Sequence, residues 1–154
     1  MISLSRSEQA IFTNMCMIYD STGQILVQDR VKSDWSGITF PGGHVQQAES
    51  FTTSVIREVY EETGLTISSP TLCGIKQFQT SAGERYVVFL YKTNEFTGEL
   101  QSSREGKVFW IKKENLFDYQ LAHDFEKMVH IFESEDDSEL YYYQDGEHSY
   151  SKFL

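Results

Sequence analysis

The chain has 154 residues, of which 40% are apolar and 14% aromatic, and it carries a formal net charge of −10. This composition predicts one globular domain with a sizeable core and argues against DNA or RNA as the main partner, although a nucleotide with bound cations remains compatible. No apolar segment is long enough to span a bilayer, and the N-terminus lacks the apolar run of a secretory signal. We therefore expect a cytoplasmic protein whose two cysteines, Cys16 and Cys73, are buried reduced thiols.

Apolar runs on either side of a turn predict two strands near the start of the chain. The runs cover residues 11–19 and 24–30, and the residues between them have the composition of a tight turn. A polar loop, residues 31–37, leads towards the glycine pair Gly42 and Gly43. This pair permits a backbone that approaches a ligand closely.

The second half of the chain predicts further strands and a second helix. Residues 71–80 and 85–93 are expected to form a hairpin, residues 106–112 a strand, and residues 121–133 a helix with an apolar stripe. Together with the first strands, these elements predict an α+β fold in which a mixed sheet lies between helices.

The composition changes near residue 135. We therefore divide the chain into a main domain, residues 1–135, and an acidic, tyrosine-rich tail, residues 136–154. Acidic tails are usually mobile, whereas the tyrosines allow an extra strand or a packed segment, and the sequence leaves this choice open.

A helix predicted between Ser50 and Gly64 carries clustered carboxylates. Glu58, Glu61 and Glu62 are spaced i, i+3 and i+4, so they project from one side of the helix. Like charges at this spacing repel each other. Two interpretations follow: a solvated acidic face, or a set of oxygen ligands for a hard divalent cation such as Mg²⁺ or Mn²⁺.

The segment that contains this helix resembles the Nudix box, G-x5-E-x7-R-E-U-x-E-E-x-G-U, in which U is apolar. All nine defined positions are filled, within 23 residues, by Gly43, Glu49, Arg57, Glu58, Val59, Glu61, Glu62, Gly64 and Leu65. One departure is Ala48, where relatives often carry glycine, and it occupies a free position of the motif. The resemblance implies the α/β/α sandwich of Nudix proteins.

The resemblance also implies roles for the acidic residues. Glu58 and Glu62 are the leading ligands of Mg²⁺ or Mn²⁺, Glu61 is the third, and the carbonyl of Gly42 is a backbone ligand. Either Glu58 or Glu61 is expected to act as the catalytic base. Glu105, which precedes a predicted strand, matches the loop acid that many relatives use as an extra ligand, and a solvated loop acid is the alternative.

Positively charged residues and His44 complete the expected site. We expect Arg57 to pair with Glu49 or Glu61 and so to hold the loop against the helix. Arg30, at the end of the second strand, is a candidate for contact with a phosphate. His44 directly follows the glycine pair and is a second candidate. A surface arginine and an ordinary loop histidine are the alternatives.

For the nucleobase the sequence offers only candidates. Trp35 and Phe40 are aromatic rings on which a base can stack. His123 and Asp124 lie where relatives read the edge of the base. For Phe40 we favour core packing, and for Asp124 we favour capping of the second helix.

The expected function is metal-dependent hydrolysis of a nucleoside diphosphate derivative. The compact chain and its FPGGH segment are similar to MutT-type 8-oxo-dGTP diphosphatases, which implies an oxidised purine nucleoside triphosphate such as 8-oxo-dGTP, cleaved to the monophosphate and pyrophosphate. ADP-ribose, dinucleoside polyphosphates and ordinary dNTPs are alternative substrates, and a non-catalytic nucleotide-binding Nudix domain is an alternative function. The expected partner is a nucleotide, with no nucleic-acid polymer and no membrane, and the oligomeric state is not predicted.

Overall fold

The structure is a computed structural model that describes residues 5–154. Within this range the elements are, in chain order, β1 (Ala10–Ile18), β2 (Gln24–Arg30), β3 (Gly37–Thr39), α1 (Phe51–Thr63), β4 (Leu65–Ser68), β5 (Thr71–Gln79), β6 (Arg85–Thr93), β7 (Glu95–Gly98), β8 (Gly106–Lys112), a 3₁₀ helix (Lys113–Asp118), α2 (Phe125–Glu133), β9 (Glu139–Asp145) and β10 (His148–Phe153). Neither α-helix in these residues has the length and apolar character that a membrane crossing requires.

The largest sheet is mixed and has five strands in the order β1-β6-β5-β9-β10. Strand β1 runs parallel to β6, and β9 runs parallel to β5, while the β5–β6 and β9–β10 pairs are antiparallel hairpins. A second sheet of three antiparallel strands has the order β3-β2-β8, and β4 pairs with β7 alone.

Alternate residues of β1 face two separate apolar cores. On β1, Cys16 and Ile18 pack with Val55 and Val59 of α1. Met15 and Met17, which alternate with them, face the other core, which contains the apolar side of α2. Since side chains alternate across a strand, one strand can serve both layers. The result is the predicted α+β arrangement, with helices on both faces of the sheets.

Most predicted elements are present, but the second helix is four residues shorter than expected. It begins at Phe125 and not at Leu121. Leu121 instead forms a bridge with Ile38 of β3, and the Ala122 amide donates a 3.0 Å hydrogen bond to the Ile38 carbonyl. Asp124 adopts a φ of 60°, which an α-helix does not allow. The apolar stripe that predicted the helix therefore starts at Leu121, in a segment that pairs with β3 and is not helical.

The tail, whose order the sequence left open, forms a hairpin. Strands β9 and β10 lie within it, and β9 pairs with β5 from Ile75–Glu139 to Gln77–Tyr141. The division of domains near residue 135 stays a prediction. The two cysteines are free thiols: Cys16 is buried as expected, whereas Cys73 is only half-buried.

Candidate active site

The glycine loop lies against β1 through hydrogen bonds that continue the sheet. The Asn14 amide donates to the Gly43 carbonyl at 2.8 Å, and the Gly43 amide donates to Oδ1 of Asn14 at 3.1 Å. The side-chain amide of Asn14 also donates to Oγ of Ser54 in α1 at 2.9 Å. Asn14 is 4% exposed, so this buried side chain connects strand, loop and helix. The loop is thereby held next to the first turns of α1.

Neither loop glycine can accept a side chain unless neighbouring atoms move. A Cβ on Gly42 would lie 2.0 Å from the Asn14 carbonyl oxygen, and a Cβ on Gly43 would lie 2.3 Å from the carboxyl group of Glu58. The glycine pair therefore lets the backbone approach the strand on one side and a helix carboxylate on the other.

Helix α1 has the ends that its sequence predicts. The Ser50 hydroxyl accepts a 2.9 Å hydrogen bond from the Thr53 amide, and Gly64 ends the helix with a φ of 77°. The side chains of Val55 and Val59 are buried in the core. Because the ends and the apolar side are fixed, the glutamates of α1 have a defined direction.

Glu62 is a buried carboxylate at the end of this helix. It is 4% exposed, and its Oε2 accepts hydrogen bonds from the Gly42 amide at 3.0 Å and from Nε2 of Gln28 at 3.2 Å. Burial raises the pKa of Glu62 to about 7, and the negative charges of Glu58 and Glu105 act in the same direction, whereas the two hydrogen bonds oppose it. No cation pairs with Glu62 among the described residues.

Arg57 connects the remaining acids of the helix to the loop. Its Nε and Nη2 donate to the two carboxylate oxygens of Glu49 at 2.7 and 2.9 Å, and its Nη1 donates to Glu58 at 2.9 Å and Glu61 at 3.1 Å. Nη2 also donates to the His44 carbonyl at 3.0 Å. The pairing expected from the sequence is present with both candidate partners. Hydrogen bonding to Arg57 lowers the pKa of Glu49 to about 2.

Glu58 and Glu61 differ in their surroundings although both contact Arg57. The Glu58 side chain is 15% exposed and lines a cleft, and burial raises its pKa despite the adjacent guanidinium. The Glu61 side chain is 53% exposed and does not line the cleft. The two carboxylates that face the cleft from α1 are therefore Glu58 and Glu62.

The cleft has a volume of about 540 Å³ and brings together most of the predicted site residues. Among them are Arg30, Trp35, Phe40, Gly42, Gly43, His44, Glu58, Glu62 and Glu105. Glu105 is paired with Lys32 at 2.9 Å on the rim. Arg30 donates from Nε to the Trp35 carbonyl at 3.0 Å, and its guanidinium carbon lies 5.4 Å from the centroid of the Trp35 ring.

Within residues 5–154, no group of three or more acidic, histidine or cysteine side chains converges closely enough to hold a metal ion alone. Mg²⁺ characteristically uses one or two carboxylates and completes its coordination with waters and substrate phosphates. Glu58 and Glu62, two poorly solvated carboxylates beside the glycine loop, fit that requirement. The donor set of the cleft is therefore compatible with a divalent cation bound together with a phosphate.

Phe40, one of the candidate base-binding residues, is part of the core. Phe40 lines the wall of the cleft but is only 2% exposed, and its ring packs edge-on against Phe125 and Phe132. Its faces are not open for stacking, in agreement with the favoured interpretation as core.

Asp124 does not cap α2 with its side chain, which corrects the favoured interpretation of this residue. Its carboxylate instead accepts a 2.8 Å hydrogen bond from the Tyr142 hydroxyl and lies 3.5 Å from Nζ of Lys127. His123 next to it is 86% exposed in its side chain. Neither His123 nor Asp124 lines the cleft that holds the glutamates.

His123 and Asp124 line a second groove, of about 1010 Å³, that adjoins the cleft. The two cavities share Trp35, Lys76 and Phe78, and tyrosines of β9 and β10 form the far wall of the second. We refer to it as the hairpin groove. Its residues are Trp35, Lys76, Phe78, Gln79, Thr80, Ser81, His123, Asp124, Lys127, Tyr141, Tyr142, Tyr143, Gln144, Ser149, Tyr150 and Ser151.

Sequence reasoning missed several residues of the site. Asn14 and Gln28 are polar residues inside strongly apolar strands, and this pattern was an available signal for both. Lys76 has no comparable signal, because a lysine in a hairpin strand is ordinarily exposed. The rings of Trp35, Phe78 and Tyr142, which come from separate segments of the chain, surround it.

Comparison with known proteins gives a consistent result. The model of the NUDIX domain family matches residues 13–132. The chain is 33% identical over 100 residues to the uncharacterized Nudix hydrolase YvcI of Bacillus subtilis (strain 168), which covers 62% of the chain and 61% of that protein. It is 35% identical over 104 residues to nucleoside diphosphate-linked moiety X motif 6 of Mus musculus, covering 62% of the chain and 32% of that protein.

Among solved structures, the mutator MutT protein from Bacillus halodurans superposes with a TM-score of 0.73 at 27% identity. The match covers 93% of this chain and 97% of that one. By contrast, the chain spans less than two thirds of the length of the two curated relatives, at 61% and 32%. The region that the family model matches contains the glycine loop, α1 and the residues that line the cleft.

Proposed function

The chain belongs to the NUDIX domain family, and we propose that it is a pyrophosphohydrolase that cleaves a nucleoside diphosphate derivative with the aid of Mg²⁺ or Mn²⁺. The observation that carries the proposal is the pair of carboxylates, Glu58 and Glu62, that face one cleft beside the glycine loop. Both have a raised pKa because they are poorly solvated, and Glu62 has no cation partner among the described residues. A site of this kind favours a bound cation.

Nudix hydrolases generally use divalent metal ions, and this chain offers a matching set of donors. Glu58 and Glu62 would hold the ion from α1, and the Gly42 carbonyl would hold it from the loop. Glu105 would join on releasing Lys32, and Glu61 would have to turn inward from the outer side of the helix. When bound, the ion supplies charge neutralisation to the phosphate oxygens and acidity to a coordinated water.

The remaining chemistry belongs to side chains of the cleft. A general base must lie within reach of the attacking water, and Glu58 lines the cleft whereas Glu61 lies outside it. We therefore assign the base to Glu58 in preference to Glu61. Arg57 would hold Glu58 in position through its 2.9 Å hydrogen bond, and Arg30, which lines the cleft, would contact a phosphate oxygen.

For the substrate we propose an oxidised purine nucleoside triphosphate such as 8-oxo-dGTP, which would give the monophosphate and pyrophosphate. Two observations support it: the similarity of the whole chain to a MutT protein, and the half-buried Trp35 ring on the cleft wall. Discrimination against dGTP requires polar groups that only the oxidised base satisfies. The candidates for that task, His123 and Asp124, line the hairpin groove, so the base would have to extend into it.

The test is steady-state hydrolysis with Mg²⁺. We expect kcat/KM for 8-oxo-dGTP to exceed that for dGTP by at least about tenfold, roughly 1.4 kcal/mol. ADP-ribose and diadenosine tetraphosphate complete the panel. A smaller preference for 8-oxo-dGTP would contradict the proposal of an oxidised substrate but not the proposal of a hydrolase. Binding of all four compounds without turnover would identify a non-catalytic nucleotide-binding domain.

A further inference from the structure

Lys76 of β5 lies at the junction between the cleft and the hairpin groove, and its side chain lines both. Three aromatic rings surround its ammonium group. Nζ is 5.1 Å from the ring centroid of Tyr142 and 5.8 Å from those of Trp35 and Phe78. These rings come from β9, from the loop before β3 and from β5 itself. The ammonium therefore lies among aromatic rings at the junction of the two cavities.

Among the described residues, Lys76 has no carboxylate within salt-bridge distance. The nearest candidate, Asp124, already accepts the Tyr142 hydroxyl and interacts with Lys127. Lys32 differs because it pairs with Glu105, and Arg30 differs because it donates from Nε to the Trp35 carbonyl and uses only its terminal nitrogens for a phosphate in the cleft. Burial lowers the pKa of Lys76 to about 8. A poorly solvated ammonium without a counter-charge attracts an anion.

The C-terminal hairpin arranges this junction. Tyr142 of β9 supplies the closest ring, and Ser151 of β10 accepts a 2.9 Å hydrogen bond from Nζ of Lys127. The match to the family model ends at residue 132, before either strand begins. The wall of the hairpin groove that β9 and β10 form is thus outside the matched region, whereas all residues that line the glutamate cleft lie inside it.

We propose that the hairpin groove binds the nucleoside end of the substrate and that Lys76 binds the phosphate attached to that nucleoside. A base can stack on the aromatic walls, and the phosphate supplies the anion that Lys76 lacks. The rest of the phosphate chain then continues into the cleft towards Glu58 and Glu62. The inference rests on the proposed function for the identity of the ligand, because it assumes a nucleotide, but it concerns binding and not hydrolysis.

The competing explanation is that Lys76 only packs its aliphatic chain between rings. Long basic side chains often bury their stems in this way while the charged head reaches water. This explanation and the proposal differ for a ligand that contains one phosphate. Packing is preserved by methionine at this position, whereas phosphate binding requires the positive charge.

The experiment uses titration calorimetry in the presence of Mg²⁺ to compare the monophosphates of the four common nucleosides with the nucleosides themselves. Neither set contains an anhydride, so turnover does not interfere. In wild type, at least one monophosphate should bind about tenfold or more tightly than its nucleoside, as expected for a charge-assisted contact. Lys76→Met should remove that difference without changing nucleoside affinity by more than about twofold, and Lys76→Arg should retain most of it.

The matched control is Lys152→Met. Lys152 also lies on the hairpin, with Nζ 5.2 Å from the Tyr143 ring centroid, but it lines neither cavity. This variant should bind as wild type does. Thermal melts of all variants verify folding.

Two results would overturn the proposal: equal affinity of wild type for every monophosphate and its nucleoside, or a Lys76→Met variant that binds monophosphates normally. If the protein does not hydrolyse phosphoanhydrides but Lys76→Met still removes the preference for monophosphates, the proposed function is rejected and this binding site is retained.

Discussion

The backbone amide of Gly42 donates a 3.0 Å hydrogen bond to Oε2 of Glu62, which joins the glycine loop to the end of α1. The same oxygen accepts from Gln28 of β2, whose own Oε1 is buried and has no hydrogen-bond partner in the described structure. Three elements therefore meet at a carboxylate whose ionisation is opposed by burial. This is an arrangement that favours ligand binding over stability.

Glu62→Gln should separate stability from activity. In EDTA near pH 8, we expect its melting temperature to exceed that of wild type, because a neutral amide removes a buried charge and can donate to Oε1 of Gln28. With Mg²⁺ and substrate, kcat should fall by about 100-fold or more, roughly 2.7 kcal/mol, because a metal-binding oxygen is lost.

Thermal melts and steady-state kinetics on the same samples measure both effects, and Glu126→Gln on the exposed side of α2 is the control. Near-normal turnover in Glu62→Gln would contradict a direct role of this carboxylate at the metal.

Substitution of Gly42 and substitution of Gly43 by alanine should have different effects. A Cβ on Gly42 would collide with the Asn14 carbonyl oxygen at 2.0 Å, where backbone cannot yield, whereas a Cβ on Gly43 would meet the movable Glu58 side chain at 2.3 Å. We expect Gly42→Ala to lose several degrees of melting temperature. Gly43→Ala should remain folded and lose at least about tenfold in kcat, since it displaces the proposed base. The reverse pattern in melts and kinetics would contradict the assigned contacts.

Ala48 is strained in the loop before α1. Its φ of 63° lies in the left-handed region, which is unfavourable for residues other than glycine by about 1–2 kcal/mol. Glycine would relieve this strain, but its greater conformational freedom in the unfolded chain offsets part of the gain. We therefore expect Ala48→Gly to raise the free energy of unfolding by roughly 0.5–1 kcal/mol. Urea denaturation measures this change, and Ala82→Gly in the exposed turn between β5 and β6 is the control. A destabilised Ala48→Gly would show that this backbone geometry is wrong.

The sequence predicted the part of the site that depends on local spacing. Periodicity and turn residues predict the helix that carries Glu58, Glu61 and Glu62, its ends at Ser50 and Gly64, and its neighbouring strands. Spacing on a helix could not show that Glu61 faces away from the cleft, because that depends on which side of α1 packs against the sheet.

What the sequence could not predict depends on contacts between distant segments. The strands β3 and β4, of three and four residues, are too short for alternation alone to define them, and the contact that engages the Asp124 side chain comes from Tyr142 of the distant tail. The strain at Ala48 was also not predicted, because this residue occupies a free position of the motif.

Stability should depend on pH through Lys76. Its pKa is lowered in the folded state, chiefly by burial, with Asp124 opposing the shift and Lys127 adding to it. The unfolded chain therefore binds more protons between about pH 8 and pH 10.5, and the free energy of unfolding should rise with pH across that window. Lys76→Met removes this term, so its stability advantage over wild type should be largest near pH 7 and shrink as the pH approaches about 10.5.

Urea denaturation of the two proteins at several pH values measures this difference, in which groups common to both largely cancel. A difference that does not vary with pH would mean that Lys76 is well solvated.

The most direct test of a metal-dependent pyrophosphohydrolase is the release of nucleoside monophosphate and pyrophosphate from nucleoside triphosphates, including 8-oxo-dGTP, by wild type and Glu62→Gln. Each protein is assayed with Mg²⁺ and again with EDTA in excess. We expect turnover by wild type with Mg²⁺, its loss in EDTA and recovery when Mg²⁺ is restored, and little turnover by Glu62→Gln in any condition. Turnover by wild type that persists in excess EDTA, or equal turnover by the two proteins, would contradict the account.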